Sequence, residues 1–136
     1  MPSDGSLEVQ TAIYNALVGA ASPPIAGGRI GDHTEASSAF PFIRIADIIG
    51  APNSVDGFYG TMHIAQVEVY SQYKGMKEIH ELTTIIYNAL HETNLTIATR
   101  PTALCFHENT RLQRDPTDGV THQAIMRFRI ESFEAE

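Results

Sequence analysis

Residues Thr61–Thr93 read TMHIAQVEVYSQYKGMKEIHELTTIIYNALHET, and they change period once. From Thr61 to Ser71 the residues alternate. His63, Ala65, Val67 and Val69 point one way, while Met62, Ile64, Gln66, Glu68 and Tyr70 point the other, which predicts a strand with two unlike faces. From Lys74 to Thr93 the period becomes helical, with Met76, Ile79, Leu82, Ile86, Ala89 and Leu90 as one stripe. Neither Glu78 nor Glu81 has a cation four residues on, so this helix is expected to depend on packing. A strand with one apolar face, followed by a helix with one apolar stripe, predicts a sheet with helices on one side.

Upstream, Phe42–Asp47 is β-branched and aromatic and follows Pro41, as a strand start does. Asp47–Gly60 then carries Gly50, Pro52, Asn53, Gly57 and Gly60 and reads as a long hairpin connection. Its Ile48, Ile49, Val55, Phe58 and Tyr59 are apolar for a loop. Two readings stay open for it. Either Ile48 and Ile49 extend the first strand while Phe58 and Tyr59 begin the next, or the segment is an arm that anchors on a partner through Phe58 and Tyr59. Further upstream, Arg29–His33 is a short extended piece within a glycine- and serine-rich stretch. A first helix is expected over Ser6–Ala21, with Val9, Ile13, Ala16, Leu17 and Ala20 on one face and Ser22-Pro23-Pro24 as its stop.

Downstream, strands are expected over Ala103–Leu112 and Val120–Ser132, joined at the turn cluster Arg114–Gly119. Ala124, Met126, Phe128 and Ile130 share one face of the last strand, and Ile125, Arg127, Arg129 and Glu131 the other. The fold class that follows is α+β, with a mixed, mainly antiparallel sheet of four to five strands packed by two amphipathic helices.

At 136 residues the chain suits one domain, residues 1–136. Nine basic against sixteen acidic residues give a net charge of −7, which disfavours broad electrostatic binding to nucleic acid or anionic membrane. The start lacks the basic and apolar segments of a secretory signal, and no apolar run approaches a bilayer span. A single cysteine excludes an internal disulfide and a cysteine zinc cluster, so the expectation is a soluble protein of a reducing interior.

The motifs for chemistry are missing. The six histidines, at 33, 63, 80, 91, 107 and 122, have no zinc-protease spacing and read as solvated or singly hydrogen-bonded. His107 and His122 are not expected to be cross-strand partners. Cys105 lies in an apolar strand and reads as a buried small hydrophobe. There is no phosphate-cradling glycine loop and no serine-hydrolase elbow. Arg111, Arg114, Arg127 and Arg129 suit either a small nucleic-acid patch or pairing with acids. The lack of tryptophan and the few neighbouring aromatics favour pairing. No cofactor, metal or catalytic residue is expected.

Gly28-Arg29-Ile30, Ala39–Ile45, Val67-Glu68-Val69-Tyr70-Ser71, Gly75, Tyr87–Leu90 and Arg111–Pro116, followed by His122–Arg129, come in a characteristic order. In that order and spacing the chain, from about Val9 to Phe133, resembles the tail terminator and tail-completion proteins of long-tailed, non-contractile, siphovirus-like phages and of gene transfer agents. The resemblance implies a virion structural protein, not an enzyme. It implies a hexameric ring that caps the tail tube, stops its polymerisation and gives head-side connector or stopper proteins a docking surface. Partners would be other copies of the chain and the tail tube protein. DNA would pass through an acidic or neutral bore without specific binding, no membrane would be involved, and assembly would occur in the bacterial cytoplasm. Two alternatives are another neck or head-completion subunit of the same particle and a small α+β enzyme or ligand-binding domain. The family supplies no interface residues to transfer. Composition and placement suggest Ile48, Ile49, Phe58, Tyr59, Arg111, Arg114, Asp115, Arg127 and Arg129.

Overall fold

Both expected helices form, each shorter than the periodicity suggests: α1 is Ser6–Val18 and α2 is Lys77–Leu90. They pack on one side of a sheet made of β1 (Ile30–Gly31), β2 (Phe42–Pro52), β3 (Gly60–Ser71), β4 (Thr93–Asn94), β5 (Thr102–Arg114) and β6 (His122–Phe133). The computed structural model describes residues 6–19, 30–31, 41–52, 60–72, 75–95, 97, 102–114 and 121–133. Phe58, Tyr59, Val55 and Asp115 lie outside the described residues.

Among the described residues the sheet has six strands in the order β1-β2-β3-β6-β5-β4, slightly more than the expected four to five. The difference lies in its edges, where β1 and β4 are two residues each and too short to show a period. Only β1–β2 is parallel, so the sheet is mixed and mainly antiparallel as expected. The short extended piece at Arg29–His33 contains β1.

The Asp47–Gly60 connection is shorter than expected. Ile48–Pro52 continue β2 and pair with Ala65 to Thr61 of β3. A β-bulge between Ile45 and Ile48 makes this possible by letting the strand bend and resume its ladder despite Asp47.

The core lies between the helices and the inner face of the sheet. α1 contributes Val9, Ala12, Ile13 and Leu17, and α2 contributes Ile79, Leu82, Ile86 and Leu90. Against them stand Ala65, Val67 and Val69 of β3 and Ala124, Met126, Phe128 and Ile130 of β6, all essentially buried. The alternation of β3 and β6 therefore has the predicted orientation. Ala16, Met76 and Ala89 sit at the core margin, and Ala12 replaces Ala16 as a fully buried position of α1.

Gly75 enters α2 at φ +90°, a conformation that glycine alone adopts cheaply. Ser71 Oγ donates to Glu78 Oε1 at 2.7 Å, tying the end of β3 to the first turn of α2. Lys77 and Glu81 form an ion pair at 4.0 Å that the expectation of an unpaired helix missed. Both are largely exposed, so packing remains the main support. Neither described helix is long and apolar enough to cross a membrane.

Candidate interaction surface

Among the described residues, the helices cover one face of the sheet. The other carries the second set of alternating residues. They are Phe42, Arg44 and Ile49 from β2, Met62 to Tyr70 at even positions from β3, and Gln123 to Glu131 at odd positions from β6. β5 adds Leu104, Phe106, Asn109, Arg111 and Gln113, which pair with those odd positions of β6.

One end of this open face is a polar relay across four strands. Gln113 Nε2 donates to Gln123 Oε1 (2.8 Å), and Gln123 Nε2 donates to the Tyr70 hydroxyl (3.0 Å). That hydroxyl donates to Glu68 Oε1 (2.7 Å), and Gln66 Nε2 donates to Glu68 Oε2 (2.7 Å). Arg44 Nη1 stands 3.5 Å from Glu68 Oε1. Glu68 is thus only 7 % exposed, although it lies on the side without helices. Its charge is held by two hydrogen-bond donors and the nearby Arg44 guanidinium, as a shielded carboxylate requires. Burial first, and then the hydrogen bond to Glu68, pushes the Tyr70 phenol up to about 12. Phe42 stacks on Tyr70 at 4.7 Å between ring centroids and screens the relay.

The middle of the face is charged and apolar together. Arg129 Nη1 reaches Glu108 Oε1 at 3.2 Å, and its guanidinium lies 5.3 Å from the centroid of the Phe106 ring. Arg127 is exposed, between its cross-strand neighbours Gln66 and Asn109. Arg111 is exposed beside Ile125.

The structure separates residues that the sequence grouped. Arg111, Arg127 and Arg129 share the open face, whereas Arg114 pairs with His122 and so has the register of the helix side. Ile48 pairs with Ala65 and packs against the core, while Ile49 pairs with Ile64 and is 67 % exposed on the open face. The pairing reading of the arginines holds for Arg129.

Two features escaped sequence reasoning. Leu7, Tyr14 and Val18 form an exposed apolar ridge on α1. Spacings of seven and four do point to it, but a stripe chosen for burial hid it. The other is a cluster at the end of α2. The Tyr87 ring stacks on His91 at 4.6 Å and meets His107 edge-on at 5.1 Å. The His107 backbone N–H donates to His91 Nδ1 at 3.0 Å, and His107 Nε2 lies 2.6 Å from Thr110 Oγ1. Burial, and then the neighbouring His91, lowers the His107 pKa below its ordinary value. His63 and His122 are buried too, so the reading of all six histidines as solvated or singly bonded is too simple. His107 pairs with Phe128, and His122 with Arg114, so the two are not cross-strand partners.

Cys105 is fully buried, and burial pushes its thiol up to about 12, so it stays protonated and unreactive at neutral pH. Among the described residues no three His, Cys, Asp or Glu side chains gather as metal ligands. What the open face can do chemically is dock: it offers donors, a carboxylate and apolar side chains on a rigid sheet.

Residues 11–131 match the family of tail completion protein gp17. No curated protein matches the chain in sequence. Among solved structures, a chain from the virion of a native gene transfer agent particle superposes with a TM-score of 0.78 at 15 % identity. The alignment covers 92 % of this chain and 94 % of that one, and at such low identity it demonstrates a shared fold.

Proposed function

The chain belongs to the family of tail completion protein gp17, and from that premise we propose that it is a structural subunit of a phage-like tail. In this reading copies of the chain close into a ring, six in number, on the end of the tail tube. The ring stops tube growth and presents a surface to a head-side connector or stopper protein. The observation that carries the proposal is the family match, which runs through nearly all of the chain. The shared fold with a chain of a gene transfer agent virion supports it.

The role is structural and not catalytic. Ile49, Arg111, Arg127 and Arg129 of the open face are proposed to meet partners, together with Arg114 at the end of β5 and with Asp115, Phe58 and Tyr59, which lie outside the described residues. Ile48 is better explained as core. DNA is proposed to slide through the ring without specific binding, in keeping with a net charge of −7 on each copy. Assembly is proposed to take place in the bacterial cytoplasm.

The test is to remove the chain from cells that make the particle and to image what forms. Tails of uncontrolled length, unattached to heads, are expected, with normal length restored by the wild-type chain. Tails of normal length that fail only to join heads would instead support a neck or head-completion subunit and would overturn the terminator reading.

A further inference from the structure

We infer that the open face of the sheet receives the α1 ridge of a second copy of this chain, in a head-to-tail contact. The inference rests on the ring reading above and names the surfaces that build the ring.

Among the described residues, most of the large apolar side chains exposed outside the core fall into two patches, with Tyr87 and Leu112 apart from both. The ridge on α1 exposes Leu7 at 72 %, with Tyr14 and Val18 beside it. The open face exposes Ile49 and Leu104, with Ile64, Phe106 and Ile125 half-buried around them. A sheet is covered by a helix laid across it, and the inner face of this sheet is already covered that way by α1 and α2. The outer face is offered the same solution by a neighbour.

Charge selects the occupant. The open face carries Arg44, Arg111, Arg127 and Arg129 against Glu68, Glu108 and Glu131, so it is net basic on a chain of net charge −7. Helix α1 contains Glu8 and no cation. The ridge itself is uncharged and its helix has a net negative charge, so ridge against face sets no cation against the arginines. A two-fold contact of face against face would set arginines against arginines, which electrostatic complementarity disfavours.

At about 100° per residue, Leu7, Tyr14 and Val18 centre about 145° round the helix axis from the mean direction of the buried Val9, Ala12, Ile13 and Leu17. Tyr14 also lines a hollow with Gln10, Thr11, Gly31 and Ile45 beside β1. Ridge and face are different surfaces of one chain, so a contact between them is heterologous, and such a contact closes into a ring where the rotation per copy fits.

Cross-linking tests this directly, because the native thiol is buried and leaves the surface free of reactive cysteine. A chain with both Tyr14→Cys and Arg127→Cys is treated with a flexible bis-maleimide, as concentrated purified protein and within assembled tails. A ladder of covalent oligomers is expected, ending at one closed species, while each single-cysteine chain gives little dimer and nothing larger. Adding Leu7→Lys is expected to lower trimers and larger species by about tenfold or more, since it sets a cation against a net basic face. Tails that contain the chain but give no ladder overturn the contact, as does efficient dimerisation of the Tyr14→Cys chain alone. A ladder without upper limit supports the contact and counts against the ring. Tails lacking the chain, with no ladder from purified protein, overturn both.

Discussion

Glu108 reaches Arg129 across the β5–β6 pair because it is the extra residue of a β-bulge. His107 pairs with Phe128 and Asn109 pairs with Arg127, which leaves Glu108 without a cross-strand partner of its own. Its carboxylate turns onto the open face and meets Arg129 at 3.2 Å. The bulge also changes which residues of β5 face out: even positions before it, odd positions after it.

Deleting Glu108 should therefore be far worse than neutralising it. Glu108→Ala removes a half-exposed ion pair, with an expected cost below about 1 kcal/mol. The deletion forces either a register slip or a swap of faces for residues 109–114, and several kcal/mol are at stake because Arg111 would turn inward. Urea denaturation of both variants checks this, and equal midpoints would contradict it.

Glu68→Ala should cost about 2–3 kcal/mol, since it leaves Arg44, Gln66 and Tyr70 without their shared acceptor. Glu68→Gln should also bring the Tyr70 phenol down from about 12, because the bond to the carboxylate helps to hold it there. Ultraviolet absorbance during alkaline titration reads this separately from stability. An unmoved tyrosine titration would show that burial alone sets it.

Acid should destabilise the fold through His107. Its pKa is lowered on folding, by burial first and then by His91, with Glu108 opposing. The unfolded chain therefore binds the proton more readily, and stability is full above the ordinary imidazole value of about 6.5. It is lost as pH falls from there through the lower folded value. Denaturant midpoints measured against pH should fall across this window, and His107→Gln should flatten the fall. A wild-type midpoint that is constant there would refute the account.

Gly75→Ala should destabilise by about 1 kcal/mol or more, although nothing lies within 4 Å of the added methyl. The cost is conformational, from φ +90°. A melting temperature equal to that of wild type would mean that the entry to α2 rearranges freely.

Cys105 should resist thiol reagents in the folded chain and react once the chain is unfolded, as burial and a pKa near 12 require. Labelling at native pH followed by mass spectrometry is the measurement, and rapid native labelling would contradict the burial.

The sequence by itself determined the parts whose signal is local. The alternation in Thr61–Ser71 and His122–Ile130 set which residues of β3 and β6 face the helices, because a strand turns each successive side chain to the opposite face. The stripes of α1 and α2 were legible for the same reason, while the expected turn cluster between β5 and β6 lies, after Arg114, outside the described residues. Tertiary structure alone decided where that alternation is interrupted. One bulge lies between Ile45 and Ile48 and another between His107 and Asn109, so the faces taken by Ile48 and by Arg111 depend on the partner strand's register, which leaves no mark within the strand itself. The same holds for the two-residue edge strands, too short to carry a period, and for His91 meeting His107, which requires β4 to fold back on β5. Faces come from the local period of the chain; which residues share a surface comes from how the strands are paired.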